Sequence, residues 1–410
     1  MNRSPEFEKN RRKVLKGSLI SGALMMGYNA SAVSSAIKPN AIGRKIHETG
    51  EYGQPSKYST ATRIKSTGNG IHASSRTPLA ESFGIITPSG LHFELHHGGV
   101  PSISPTQHKL LIHGMVNTSL IFSVQEIMDF PSITRTHFIE CAGNTGSEWK
   151  RVSSPEATVQ RTHGLTSCSE WTGVLLSDVL KKVGVKARAK WLLAEGDDSS
   201  RMARSIPLWK AMDDAMIVYA QNGELLREEQ GFPLRLLVPG FEGNMNIKWL
   251  RRLEIGDKPW WTHQEVTEYA DPRPNGKRNV FSYYMEVKSV ITSPSSGMKL
   301  ERMGYHEITG LAWSGRGSIT KVEVSVDNGE FWQFARLQGP VHRKAHTRFV
   351  YDWEWRGGEA IILSRATDDD GNVQPDHEQL HQMKSEVGLN HNNAIQKWRV
   401  AKSGGITNVQ

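Results

Sequence analysis

The sequence predicts an α+β protein, a mixed helix-and-strand domain followed by a β-sandwich. At 410 residues the chain is longer than one ordinary core accommodates, so two folded domains are expected. Between about residues 81 and 282, helical and strand patterns mix without the regular alternation of a doubly wound sheet. From 283 to about 403 the helical signals fade and short alternating strands with turn residues take over, as in a sandwich of ~100 residues. Hydrophobic residues at 37% and charged residues at 22% suit a soluble globular chain.

The amino terminus reads as an address. "NRRKVLKG" is followed by "SLISGALMMGYNASAVSSA", a basic region, a modest apolar stretch and then small residues. The apolar part is too short for a membrane span, which needs about 20 predominantly apolar residues. Arg11 and Arg12 ahead of Val14-Leu15-Lys16 resemble a twin-arginine export signal over residues 1–32, which would carry a folded, cofactor-loaded protein to the periplasm. An ordinary secretory signal or a basic tail fits the same residues. Six Lys and Arg stand there against Glu6 and Glu8, so half of the formal charge of +8 belongs to this segment. Nothing in the remainder interleaves basic and aromatic residues as a nucleic-acid groove would. Residues 33–80, rich in Ser, Thr, Gly and Lys, read as a linker or extended arm.

In the mixed domain "HKLLIHGMV" reads as a strand, and "SVQEIMDFP" places Ser123 and Glu126 at capping-box spacing before Ile127 and Met128. "TRTHFIEC" is a strand, and "SDVLKKVGV" a short helix with Val179, Leu180 and Val183 on one stripe. "AMIVYAQNGELL" reads as strand, Asn-Gly turn, strand, and "FPLRLLVPG" as a buried strand bounded by prolines. The boundary falls near "FSYYMEVKSVITSPSSG". Beyond it, "SITKVEVSVDNGEFWQFARL" alternates Val322, Val324 and Val326, turns at Asn328-Gly329 and returns through Phe331 and Phe334.

The chemistry centres on "HFIECAGNTG", which sets a thiol where an apolar strand ends and a glycine-bearing loop begins. Gly143, Asn144 and Gly146 would permit close backbone approach to something bulky, and consecutive loop N–H groups can cradle an anion. A thiolate there is a soft ligand suited to a heavier metal. Two other readings fit the residues: a Cys141–Cys168 disulfide in an exported chain, and Cys141 as a small buried hydrophobe. His96, His97, His137 and His163 lack the paired spacings of a zinc site, and no C-x-x-C-H haem motif is present.

Five segments in order, "HFIECAGNTG", "TSCSEWTGVLLSDVL", "RSIPLWKAMDD", "YAQNGELLREEQGFPLRLLVPGFEGNMNIKWLRRLEI" and "EITGLAWSGRGSITKVEVSVDNG", resemble the sulfite oxidase family of molybdenum enzymes. The resemblance runs from about Ser82 to Val400, and is greatest to members that dehydrogenate sulfane sulfur in bacterial thiosulfate-oxidising systems. It implies a mixed α/β domain holding molybdenum-molybdopterin, then an immunoglobulin-like sandwich that often mediates dimerisation. By the resemblance Cys141 is the thiolate that binds molybdenum. Phe93, Glu94, Leu95, His96 and His97 match the segment that packs on the pterin. Asp198, Gln230, Arg235, Asn246, Ile247 and Lys248 match other cofactor-binding positions, although His is frequent in the family where Gln230 stands. Tyr269 matches the tyrosine of the substrate pocket.

Animal and plant sulfite oxidases carry arginines where this chain has Leu95 and Gly146. Their absence removes charged hydrogen bonds worth ~1.5 to 3 kcal/mol each, against tight binding of free sulfite and in favour of sulfur carried on a partner protein. The implied activity is oxygen-atom transfer at molybdenum to that sulfur. The sequence offers no haem motif and too few cysteines for an iron–sulfur cluster, so the implied electron acceptor is a c-type cytochrome subunit, in a hetero-oligomer containing a homodimer of this chain. Oxidation of free sulfite, reduction of S-oxides, and a non-enzymatic disulfide-bonded binding protein are the rival functions.

Overall fold

The computed structural model of the chain describes residues 55–66, 72–150, 153–272, 275, 277–384 and 390–409. The proposed export signal lies outside them. The chain divides into two units, 1–60 and 61–410. Of the first, only residues 55–60 are described, and they contain a turn closed by Ser59 N donating to Ser56 O. All the strands and helices below belong to the second unit.

The mixed domain is built on two larger sheets. One orders its strands as Leu120–Ser123, Lys109–Gly114, Leu250–Gly256, Trp191–Gly196 and Ala203–Pro207. Lys109–Gly114 and Leu250–Gly256 run parallel, and the other neighbours antiparallel. The helices Val124–Met128 and Leu176–Val183 contribute Ile127, Leu176, Val179, Leu180 and Val183 to its core. Both halves of the Ser123–Glu126 capping box form, which is why a five-residue helix starts where it does. The other sheet runs Glu224–Leu225, Met216–Gln221, Thr166–Leu175, Ser132–Glu140, with Arg235–Leu237 also paired to Met216–Gln221. Asn222 (φ 51°) and Gly223 (φ 79°) form the expected hairpin turn.

The segment read as a linker differs in its second half. Ile64–Ser66, Ala73–Arg76 and Glu94–His96 form a three-stranded antiparallel sheet, and Leu79 is 1% exposed. The chain therefore joins the folded domain well before residue 81. "ASSR" has no apolar alternation, so pairing of its main chain rather than burial of its side chains holds it, and hydrophobic periodicity gives no sign of it.

The C-terminal domain is a sandwich of a four-stranded sheet, in order Lys288–Ser293, Gly304–Trp313, Thr347–Trp355, Arg336–Gln338, and a five-stranded sheet, in order Gln333–Phe334, Ile319–Ser325, Ala360–Asp368, Lys397–Val400, Ile406–Val409. Trp313, Val322, Val324, Phe349, Ile362 and Trp398 fill the space between them. The chain returns after Asn328–Gly329 as expected, but the return strand holds only Gln333 and Phe334, and both Phe331 and Phe334 are largely exposed. Phe138, Val159 and Cys168 of the mixed domain pack into this sandwich core, so the two domains share apolar contact. No helix among the described residues is long and apolar enough to cross a membrane.

Candidate active site

Ser132–Glu140 pairs along its full length with Thr166–Leu175 and ends at Glu140, which delivers Cys141 to the edge of the second sheet. Cys141 N donates to Leu165 O at 2.9 Å. The loop then closes on itself: Asn144 N donates to Cys141 O, Gly146 N to Gly143 O, and Thr145 takes the left-handed conformation at φ 66°. Asn144 Nδ2 donates to Glu140 Oε1 at 2.9 Å and His163 O at 3.0 Å, and its Oδ1 accepts from Leu165 N at 3.1 Å. This corrects the reading of the loop as an anion cradle. Two of its N–H groups are spent internally, and Gly143, Asn144 and Gly146 do not line the cavity beside Cys141. The glycine that close approach does require is Gly243, whose Cβ would stand 2.8 Å from Glu140 O and 3.2 Å from Cys141 Cα.

Cys141 lines a cleft of about 670 Å³, counting the space at its mouth. Around it stand Phe93, Leu95, His96, His97, Asp198, Gln230, Arg235, Asn246, Ile247, Lys248 and Tyr269. Of the residues that the family resemblance assigns to the cofactor and substrate pocket, only Glu94 is outside the wall. It acts one step back, its Oε2 2.8 Å from His96 Nε2 and its other oxygen paired with Arg63. Asp198 rather than Asp197 faces the cleft, since Asp197 turns to Arg201 and Arg251. His92, Ile139, Met202, Asn244 and Trp249 also line it and were not read from sequence. Trp249 follows Lys248 directly, with φ 51° and Nε1 donating to Glu228 O, so the continuing motif was its only signal.

Electrostatics mark this cleft as a place for an anion. Arg235 is 4% exposed, lies 5.2 Å from the Trp171 ring centroid, and donates from Nη1 to the backbone and side-chain oxygens of Gln230 at 3.1 Å. Its Nε has no partner, and burial pulls its pKa down to about 9. Lys248 donates to Leu95 O and Glu229 O at 3.1 Å and to His96 Nδ1 at 2.7 Å. Burial and the neighbouring Arg235 lower its pKa well below the usual lysine range. Burial and the Lys248 charge hold His96 neutral with a pKa of about 3, so Nδ1 accepts from Lys248 while Nε2–H is left to donate to Glu94. Arg235, buried with an orphaned N–H, and the half-buried Lys248 hydrogen-bond to no carboxylate, which fits a ligand carrying phosphate.

Tyr269, also lining the cleft, is 6% exposed and its hydroxyl is hydrogen-bonded to His97 Nε2 at 2.9 Å. Burial, then the charge of a Cys141 thiolate, push the phenol above its usual range, so it stays protonated. Its ring lies 4.7 Å from the guanidinium of Arg204, which is wholly buried and paired with Glu242 and Glu265 at 2.9 Å. Burial pushes the Cys141 thiol up to about 11, Glu242 and Glu140 adding to it, so a bound cation is what would make it a thiolate there.

Both cysteines are free, which removes the disulfide reading. Cys168 packs in the sandwich-facing core, whereas Cys141 belongs to the cluster of Phe93, Ile139 and Trp171 beside the cleft. Among the described residues no group of three or more His, Cys, Asp and Glu could hold a metal by itself. A metal at Cys141 would therefore arrive on a cofactor bringing its own donors, and the cations lining the same cleft suit one that is also phosphorylated.

Residues 97–264 match the oxidoreductase molybdopterin binding domain family, and residues 279–398 the Mo-co oxidoreductase dimerisation domain family. The chain belongs to the sulfite oxidase family of molybdopterin oxidoreductases. It is 33% identical over 325 residues to the mitochondrial sulfite oxidase of Rattus norvegicus, covering 73% of this chain and 58% of that protein. With the nitrate reductase [NADH] of Ulva prolifera identity is 30% over 331 residues, covering 71% of this chain and 38% of that one. The chain thus spans little more than half the length of such sulfite oxidases. The crystal structure of the sulfane dehydrogenase SoxCD from Paracoccus pantotrophus superposes with a TM-score of 0.84 at 39% identity, covering 94% of this chain and 100% of that one. Within this family the C-terminal sandwich corresponds to the dimerisation domain.

Proposed function

We propose that this protein is an exported, periplasmic molybdenum oxidoreductase that oxidises sulfane sulfur carried on a partner protein and passes the electrons to a c-type cytochrome subunit. The observation that carries the substrate assignment is Leu95. It lines the cleft, and by the family resemblance it stands where animal and plant sulfite oxidases carry an arginine. The wall's cations, the buried Arg235 and the half-buried Lys248, are engaged with Gln230 and with backbone oxygens of the 93–97 and 229–230 segments. An apolar residue at that point favours a substrate whose affinity comes from contacts remote from the reacting sulfur, as a protein-borne persulfide provides. The likeness to SoxCD supports the same reading.

Bound through Cys141, the molybdenum cofactor supplies oxygen-atom transfer and a two-electron sink. The chain's own part is to hold and to orient. Arg235 and Lys248 would offset cofactor phosphate charge, Glu94 fixes the tautomer of His96, and Asp198, Gln230 and Asn246, each hydrogen-bonded within the chain, would shape the wall that holds the cofactor. Tyr269, held protonated by burial and hydrogen-bonded to His97, would offer its hydroxyl as a hydrogen-bond partner to a substrate in the cleft.

Identity to sulfite oxidases sustains a second reading, dehydrogenation of free sulfite. Turnover of purified holoprotein with c-type cytochrome as acceptor separates the two. Faster turnover per active site with a persulfidated carrier than with sulfite supports the first, and saturation by micromolar sulfite with no response to the carrier overturns it.

A further inference from the structure

The residue before Cys141 is held by the other domain. Glu140 is fully buried, and its carboxylate accepts from Lys288 Nζ at 2.6 Å, Trp313 Nε1 at 2.7 Å and Asn144 Nδ2 at 2.9 Å. Lys288 and Trp313 stand opposite each other on the paired strands Lys288–Ser293 and Gly304–Trp313, with the ammonium 5.9 Å from the indole ring. The same domain grips the far side of the loop. His391 N donates to Ala142 O at 2.8 Å, while Thr145 Oγ1 donates to Asn392 O and Asn392 Nδ2 to Thr145 O, both at 2.9 Å. Asn393 Nδ2 in turn bonds Val287 O at 3.0 Å, which ties this grip to the residue before Lys288.

Interdomain adhesion alone does not call for such a pair. Apolar residues of similar volume join buried surfaces as well as or better than a desolvated ion pair does. What the ion pair adds is charge, set one residue from the thiol in a medium where charges are poorly screened. A lone carboxylate there favours the more oxidised, more positive metal, and a lysine 2.6 Å from the carboxylate offsets that field.

We propose that Glu140 and Lys288 are positioning residues for Cys141, and that Lys288 of the sandwich offsets the field of Glu140 and so keeps the reduction potential of the metal that the thiolate holds from falling. The proposal rests on the reading of Cys141 as that ligand.

The test uses full-length holoprotein carrying Glu140→Gln, Lys288→Gln, both together, or Lys288→Arg. Potentiometric titration followed by electron paramagnetic resonance of the molybdenum is read beside the metal content. The expected result is a split: the potential rises in Glu140→Gln, falls in Lys288→Gln, and returns toward the parent value in the double variant and in Lys288→Arg. Shifts of one sign in both single variants, or none in either, overturn the proposal, since packing alone does not distinguish the sign of the charge removed. Should Lys288→Gln fail to fold, Glu140→Gln and the double variant differ only in the lysine and read the same charge. Cys141→Ser in parallel separates the two levels. If it keeps molybdenum with an unchanged spectrum, the ligand reading fails. If it loses molybdenum while the potentials do not split, the clamp alone fails.

Discussion

The hydroxyl of Tyr269 and Nε2 of His97 are 2.9 Å apart in the wall of the cleft, although 172 positions separate them in the chain. His97 follows the strand Glu94–His96, and Tyr269 ends the helical turn Gln264–Glu268, so two unrelated segments meet to place one polar group near Cys141. Replacing Tyr269 by Phe removes the hydroxyl and keeps the ring over Arg204. We expect kcat to fall about 10- to 100-fold, the worth of one charge-assisted hydrogen bond, with molybdenum content unchanged. Loss of the metal in that variant would move Tyr269 from the reaction to cofactor binding.

Cys141→Ser is expected to abolish molybdenum binding and leave the fold in place. The side chain lies in a small apolar cluster, and a buried hydroxyl there costs about 1 to 3 kcal/mol. Metal analysis beside a denaturant melt checks both halves of the statement.

Arg235 is a charge held for a ligand. Its folded-state pKa, about 9, lies below its ordinary value, so at neutral pH the cation costs the cofactor-free fold stability. Arg235→Met should therefore stabilise cofactor-free protein by about 1 to 3 kcal/mol and weaken cofactor retention roughly 10- to 100-fold. Equal destabilisation of both forms in thermal melts would contradict this.

His346 supplies a pH dependence remote from the cleft. It is 1% exposed, wedged between Phe138 and Trp313, and burial lowers its pKa from 6.5 to about 3. The unfolded chain takes up a proton below pH 6.5 that the folded chain refuses. The stability is thus complete above about 6.5 and is lost as pH falls toward 3, by about 2 kcal/mol at pH 5. Urea melts of the parent and of His346→Gln across that window should show a shallower acid slope in the variant.

Gly243→Ala probes the packing beneath the thiol. The added methyl meets Glu140 O at 2.8 Å, and main chain cannot swing aside as a flexible side chain would. A loss of about 1 to 3 kcal/mol with reduced molybdenum occupancy is expected, measured by thermal denaturation and metal analysis. Retained occupancy at parent stability would show that the 243–245 turn yields.

Much of this protein was settled by its sequence alone. The order of mixed domain then sandwich, the Ser123–Glu126 cap, the Asn222–Gly223 hairpin and the thiol at the end of a strand all follow from local patterns, because caps, turns and periodicity are written in neighbouring residues. Most cleft residues were legible too, since they fall in a few continuous motifs. Tertiary structure decided the rest. It brought "ASSR" into a sheet by main-chain pairing, turned the Cys141 loop inward on its own hydrogen bonds, exposed Gly243 as the glycine under steric demand, and set Lys288 against Glu140 across 148 positions. Contacts of that kind depend on which surfaces meet once the chain is folded, and no local run of residues encodes them.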